Sequence, residues 1–174
     1  MNYTLVIGVN SFLGNSFISK YKNKLKILGI SISKKKIENF KLGKNLKFSF
    51  KNLLKEITDK KIESIIYFHS YGTSQNQNSK KKIFYSNYTL AKKFYELAKS
   101  LNAKFIYFGS VSENDKSAGN YYAISKRKMI NFMRKDNKPK KIKVLVLKLF
   151  YIYGINENKR RLLSLIKSSI KKNK

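Results

Sequence analysis

With 174 residues, 42% of them hydrophobic, the chain is long enough to bury the core of one domain. Cysteine is absent, which excludes disulfides and thiolate zinc sites, and no apolar run reaches the ~18 residues of a membrane span. A formal charge of +30 looks like a nucleic-acid signature, yet the lysines are spread over nearly every segment, as an AT-rich coding sequence would give.

The N-terminus enters a strand-like run at once, with no basic n-region or cleavage site, so a cytoplasmic protein is the default expectation. Thr4 to Ile7 reads as a buried strand ending at Gly8, Gly14 to Tyr21 as a helix, and Leu25 to Ser33 as a second strand. A weak strand over Leu46 to Phe50 precedes a short helix, Asn52 to Ile57. Ser64 to Phe68 is a strand ending at His69. The helix from Lys82 to Leu101 carries one apolar stripe of Ile83, Leu90, Phe94, Leu97 and Leu101. Phe105 to Phe108 is the next strand, ending at Gly109. A helix over Tyr122 to Arg134 follows, then the loop at Pro139, a strand over Ile142 to Leu149, and a helix over Arg160 to Ile170.

Strands separated by helices require crossovers, and near-continuous apolar strands require cover on both faces. The expected fold is therefore α/β: a single Rossmann-like domain over 1–174, a three-layer αβα sandwich with a mostly parallel sheet and a basic tail from about 168. Gly8, Gly109 and Gly154 are expected just after the first, fifth and sixth strands, where such a sheet places its ligand crevice.

The turn from Gly8 through Asn10, Ser11, Phe12 and Leu13 to Gly14 keeps the outer glycines of a Gly-x-x-Gly-x-x-Gly phosphate turn, with Ser11 in place of the middle one. NAD binding usually places an acidic residue at the end of the second strand. Here that region reads Ile32, Ser33, Lys34, with no carboxylate, which leans toward the 2′-phosphate of NADP over NAD.

Tyr122 and Lys126 lie four apart and share a helix face. A nearby ammonium favours phenolate over phenol, so Tyr122 is placed to exchange a proton with a substrate hydroxyl. Asn87 sits on an apolar stripe, where an unpaired amide is costly and a designated partner is expected. His69 is the only histidine and the nine acidic residues are dispersed, so no metal site is expected.

These landmarks together resemble the extended short-chain dehydrogenase/reductases, or NAD-dependent epimerase/dehydratases. The likeness runs from Thr4 to about Ile170. It rests on the Gly8–Gly14 turn, the strand ending at His69, Asn87, the Phe105 to Ser110 strand, Tyr122 with Lys126, and the segment Lys148 to Gly154. The resemblance implies that Tyr122 is the general acid/base and that Lys126 lowers its pKa and binds the nicotinamide ribose. Ser110 would orient the substrate oxygen, with Ser112 as a second candidate, and Asn87 would support a relay to the lysine. His69 would line or pack near the cofactor.

The implied activity is hydride transfer on a nucleotide sugar with NAD or NADP, a homodimer being left open. The alternatives are a dinucleotide-binding sensor or assembly protein and, third, a basic nucleic-acid-binding module. Three departures stand out: Ser11, Tyr151 where the family often has asparagine, and a length that leaves out most of the portion closing over the sugar.

Overall fold

The computed structural model describes residues 2–32, 46–47, 49–74, 76–115, 120–138, 141–154 and 162–172. Six strands form one sheet: β1 (Asn2–Ile7), β2 (Ile27–Ser31), β3 (Leu46–Lys47), β4 (Lys61–Tyr67), β5 (Lys104–Ser110) and β6 (Val144–Leu149). Their order is β3-β2-β1-β4-β5-β6 and every pairing is parallel. The chain runs outward from β1 in one direction and from β4 in the other, so the crossovers diverge between β1 and β4. That divergence leaves a crevice at the carboxyl ends of those strands.

The apolar runs in β1 and β4 follow from cover on both faces. Successive strand residues point to opposite sides. Leu5, Ile7, Ile65 and Tyr67 join one core with Leu53, Phe94, Phe105 and Met129, under helices α2 (Phe50–Ile57), α4 (Leu90–Ser100) and α5 (Tyr121–Asp136). Val6 and Ile66 join the other with Val9, Ile18 and Phe68, under α1 (Phe12–Tyr21). This is the expected αβα arrangement. Helix starts are written locally: the side chains of Ser11, Ser49 and Asn120 accept from the third residue on in α1, α2 and α5.

Three features depart from the sequence reading. The helix expected to run unbroken from Lys82 to Leu101 is α3 (Lys80–Phe84), a π-helical turn at Tyr85–Thr89, and then α4. Gly109 does not follow β5 but lies inside it, paired with Lys148, because the strand continues through Ser110. The second strand ends at Ser31, where Ile30 is the last residue to pair with β1.

Beyond β6, α6 (Leu162–Lys172) leaves Leu165, Ile166 and Ile170 exposed, and β6 itself exposes Leu145 and Leu147. No helix among the described residues is long and apolar enough to cross a membrane.

Candidate active site

A cleft of about 1400 Å³ lies at the carboxyl edge of the sheet, bounded by the first turn, the loops after β4 and β5, the start of α5 and the segment after β6. Its first end is the β1–α1 turn. Gly8 has φ of +85°, and a Cβ there would press on the His69 backbone; only glycine fits so close to the loop that leaves β4. A Cβ at Gly14 would collide with the Gly8 carbonyl oxygen. Both outer glycines are thus demanded by backbone packing.

Ser11 is different. Its φ is −72°, so no glycine is needed, and its hydroxyl accepts from the Gly14 amide at 3.1 Å. The amides of Phe12 and Leu13 come too early in α1 to have intrahelical acceptors, and both residues line the cleft. Asn10 donates to the Ser31 hydroxyl at 2.7 Å. Ser31 ends β2 and is neutral. It escaped the sequence reading because the strand was extended too far; Ser33 and Lys34 lie outside the described residues. The donor set at the α1 N-terminus, together with the volume of the cleft, fits a dinucleotide.

The other end gathers Ser110, Ser112, Tyr122 and Lys126 on one wall. The Ser110 and Ser112 hydroxyls lie 2.8 Å apart, and the Ser112 amide donates to Ser110 Oγ at 3.3 Å. Between the two ends, Phe68 and Phe108 stack at 4.6 Å and give the cleft an apolar floor.

Lys126 is 2% exposed, donates to the Phe108 carbonyl at 2.7 Å, and lies over the rings of Tyr107 and Tyr122 at 4.7 and 5.7 Å from their centroids. Burial brings its pKa down to about 7, against an opposing pull from Glu113. The sequence reading treated this residue as a standing ammonium. Near neutral pH it is instead divided between the charged and neutral forms.

Asn87 and His69 stand behind this wall. Asn87 is fully buried: its carbonyl accepts from Ser70 Oγ and Tyr71 N, and its amide donates to Tyr71 O and Ser125 Oγ. It ties the loop after β4 to the helix bearing Tyr122, through Ser125, which sequence patterning did not single out. His69 Nε2 lies 3.1 Å from Ser86 Oγ. Burial, and then the charge of Lys126, lowers its pKa to about 4, so it is a neutral imidazole near pH 7. Neither residue is part of the cleft lining. Among the described residues no three His, Asp or Glu side chains are grouped to hold a metal.

The model of the NAD dependent epimerase/dehydratase family matches residues 4–174. The chain belongs to that family. Solved members share its fold at low identity. A UDP-N-acetylglucosamine 4-epimerase from Methanobrevibacter ruminantium, in complex with UDP-N-acetylmuramic acid, superposes with a TM-score of 0.80 at 16% identity, over 99% of this chain and 63% of its own. A UDP-glucuronic acid 4-epimerase from Bacillus cereus in complex with NAD gives 0.76 at 17%, over 98% and 64%. A dTDP-glucose 4,6-dehydratase from Streptomyces venezuelae gives 0.77 at 13%, over 99% and 63%. A search of curated proteins returns no significant sequence match. The chain thus spans under two thirds of the length of these solved family members, and Phe150, Tyr151 and Tyr153 on the cleft rim are largely exposed.

Proposed function

We propose that the protein is an NAD(P)-dependent oxidoreductase of the epimerase/dehydratase type, exchanging hydride with a hydroxyl or carbonyl carbon of a nucleotide sugar. One observation carries the reading: Tyr122, Lys126 and Ser110 converge in the same cleft as the open N-terminus of α1. The amides of Phe12 and Leu13 would hold the pyrophosphate, with Ser11 keeping the helix end in place. Asn10 and Ser31 would meet the adenosine ribose. With no carboxylate at Ser31 to repel a 2′-phosphate, NADP is slightly favoured over NAD.

The bound dinucleotide supplies the hydride acceptor or donor. Tyr122 takes the proton of the sugar hydroxyl as its carbon is oxidised, and returns it on reduction. Ser110 holds the substrate oxygen and donates to it as negative charge develops, its own hydroxyl aligned by Ser112. Lys126 supports the phenolate in proportion to its protonated fraction and would donate to the nicotinamide ribose.

The test is Tyr122→Phe, assayed with NAD and NADP against UDP-glucose, UDP-N-acetylglucosamine and dTDP-glucose. Hydride exchange should fall by about 10²–10⁴-fold while dinucleotide affinity stays nearly constant. Turnover at the wild-type rate would remove Tyr122 from its role.

A second reading, a dinucleotide sensor or assembly protein, is favoured by the open rim at Tyr151, which is 92% exposed. It requires a thermal shift with NADH or NADPH and no turnover by the wild-type chain. A shift with RNA and none with either dinucleotide would reject both.

A further inference from the structure

Glu113 and Lys126 are the charged side chains buried among the described residues. Lys126 belongs to the cleft, whereas Glu113 contributes nothing to its lining. A carboxylate 4% exposed requires partners, and those partners come from two neighbouring strands, β5 and β6.

Glu113 sits in a 3₁₀ turn, Val111–Asn114, that leaves β5 directly after Ser110. Its Oε1 accepts from the Ser110 amide at 2.6 Å, and its Oε2 lies 3.6 Å from Lys148 Nζ on β6. From α5, Arg127 donates to the carbonyls of Glu113 and Asp115 at 2.9 and 3.0 Å. A Cβ on Gly109 would strike Glu113 Oε1 and crowd Ile130, so the glycine inside β5 is explained by this carboxylate and not by a turn.

We propose that Glu113 is a positioning residue whose carboxylate clasps the main chain of Ser110 to Lys148 on β6, within a turn whose main chain Arg127 of α5 holds. The proposal rests on the reading of Ser110, Tyr122 and Lys126 as a proton-transfer set. Its physical content has two parts. The hydrogen bond fixes the strand terminus that aims Ser110. The negative charge also helps keep Lys126 protonated in its buried position, since Glu113 pulls the lysine pKa upward against burial. The other groups facing this pair are Lys148 from β6, Arg127 and Tyr122 from α5, Tyr107 from β5 and His69 after β4.

The experiment follows lysine titration by NMR in the full chain labelled with [ε-¹³C]lysine, the Lys126 signal being assigned by its loss in Lys126→Met. Glu113→Gln keeps an oxygen that can accept from the Ser110 amide but removes the charge, so the Lys126 midpoint should move to lower pH. Lys148→Met removes the half-exposed cation beside Glu113 and should move it to higher pH. That variant carries the test alone if Glu113→Gln does not fold. With a sugar nucleotide that turns over, Glu113→Ala should lower kcat by up to about 10²-fold with little change in KM, as a misplaced serine would.

A Lys126 midpoint unmoved by either substitution, or a Glu113→Ala variant with the wild-type kcat, overturns the proposal. Either outcome is distinct from failure of the enzyme reading. A moved midpoint in a protein whose Tyr122→Phe variant turns over normally keeps the clasp and rejects the chemistry, and an unmoved midpoint with an inactive Tyr122→Phe does the reverse.

Discussion

Lys126 joins the chemistry of the cleft to the stability of the fold. Its pKa is about 7 in the folded chain and near 10.5 when solvated, burial being the main cause. Between those values the unfolded chain binds more protons than the folded one, so stability rises with pH through that window. Well below pH 7 both states are protonated and the cost of the buried charge is present in full. Urea unfolding of wild type and Lys126→Met at pH 5, 6, 7, 8 and 9 should therefore give a difference that is flat up to about 6 and begins to rise by 7. Above 7, wild type should gain on the variant by at most about 1.4 kcal/mol per pH unit. A difference that stays constant to pH 9 would mean that the ammonium is not desolvated. Ser11 shows the opposite economy of scale: one hydroxyl, at an ordinary φ of −72°, caps α1 by accepting from the Gly14 amide.

At the scale of elements, the π-helical turn Tyr85–Thr89 is the feature with the widest reach. A π turn breaks the regular i to i−4 ladder and leaves main-chain carbonyls in need of donors. Two tyrosines supply them. Tyr67 OH donates to Ser86 O at 2.5 Å and Tyr107 OH to Asn87 O at 2.9 Å, from register partners on β4 and β5. The turn so held aims Asn87 at the Tyr71 loop and at Ser125, on the helix bearing Tyr122. Tyr107→Phe leaves a buried carbonyl short of its donor and should cost about 1–3 kcal/mol in chemical denaturation. Tyr85→Phe, on the exposed side of the same turn, should stay within about 0.5 kcal/mol. Equal effects of the two changes would show that the tyrosine hydroxyls do not hold the turn.

At the scale of the molecule, the charge of +30 is large enough to dominate encounters with polyanions whatever the cleft does. Affinity for a single-stranded RNA should fall by at least about 10³-fold between 50 and 200 mM salt, and the fall should not depend on base sequence. A weak salt response, or marked sequence preference, would point to a dedicated nucleic-acid surface. Leu145 and Leu147 of β6, the last strand of the sheet, are exposed, as are Phe150, Tyr151 and Tyr153 on the cleft rim and Leu165, Ile166 and Ile170 of α6. The solved family members continue for more than a third of their length outside the superposed region.

Sequence periodicity alone determined the alternation of strands and helices, the parallel sheet and the placing of Tyr122 and Lys126 on one helix face. The alternation and the shared helix face depend on neighbours only a few residues away, and parallel pairing follows from the crossovers that this alternation requires. The glycines of the first turn were legible for the same reason. Tertiary structure alone decided where β2 ends, and so that Ser31 faces Asn10, because a strand terminus is fixed by pairing with its neighbours, here β1 up to Ile30 and β3 at Ser31, and not by its own composition. It also decided that Asn87 serves the Tyr71 loop and Ser125, that Lys126 is desolvated, and that Glu113 is buried against Ser110. Hydration and charge state are set by whatever elements close over a side chain, and in a parallel sheet those elements come from distant stretches of the chain.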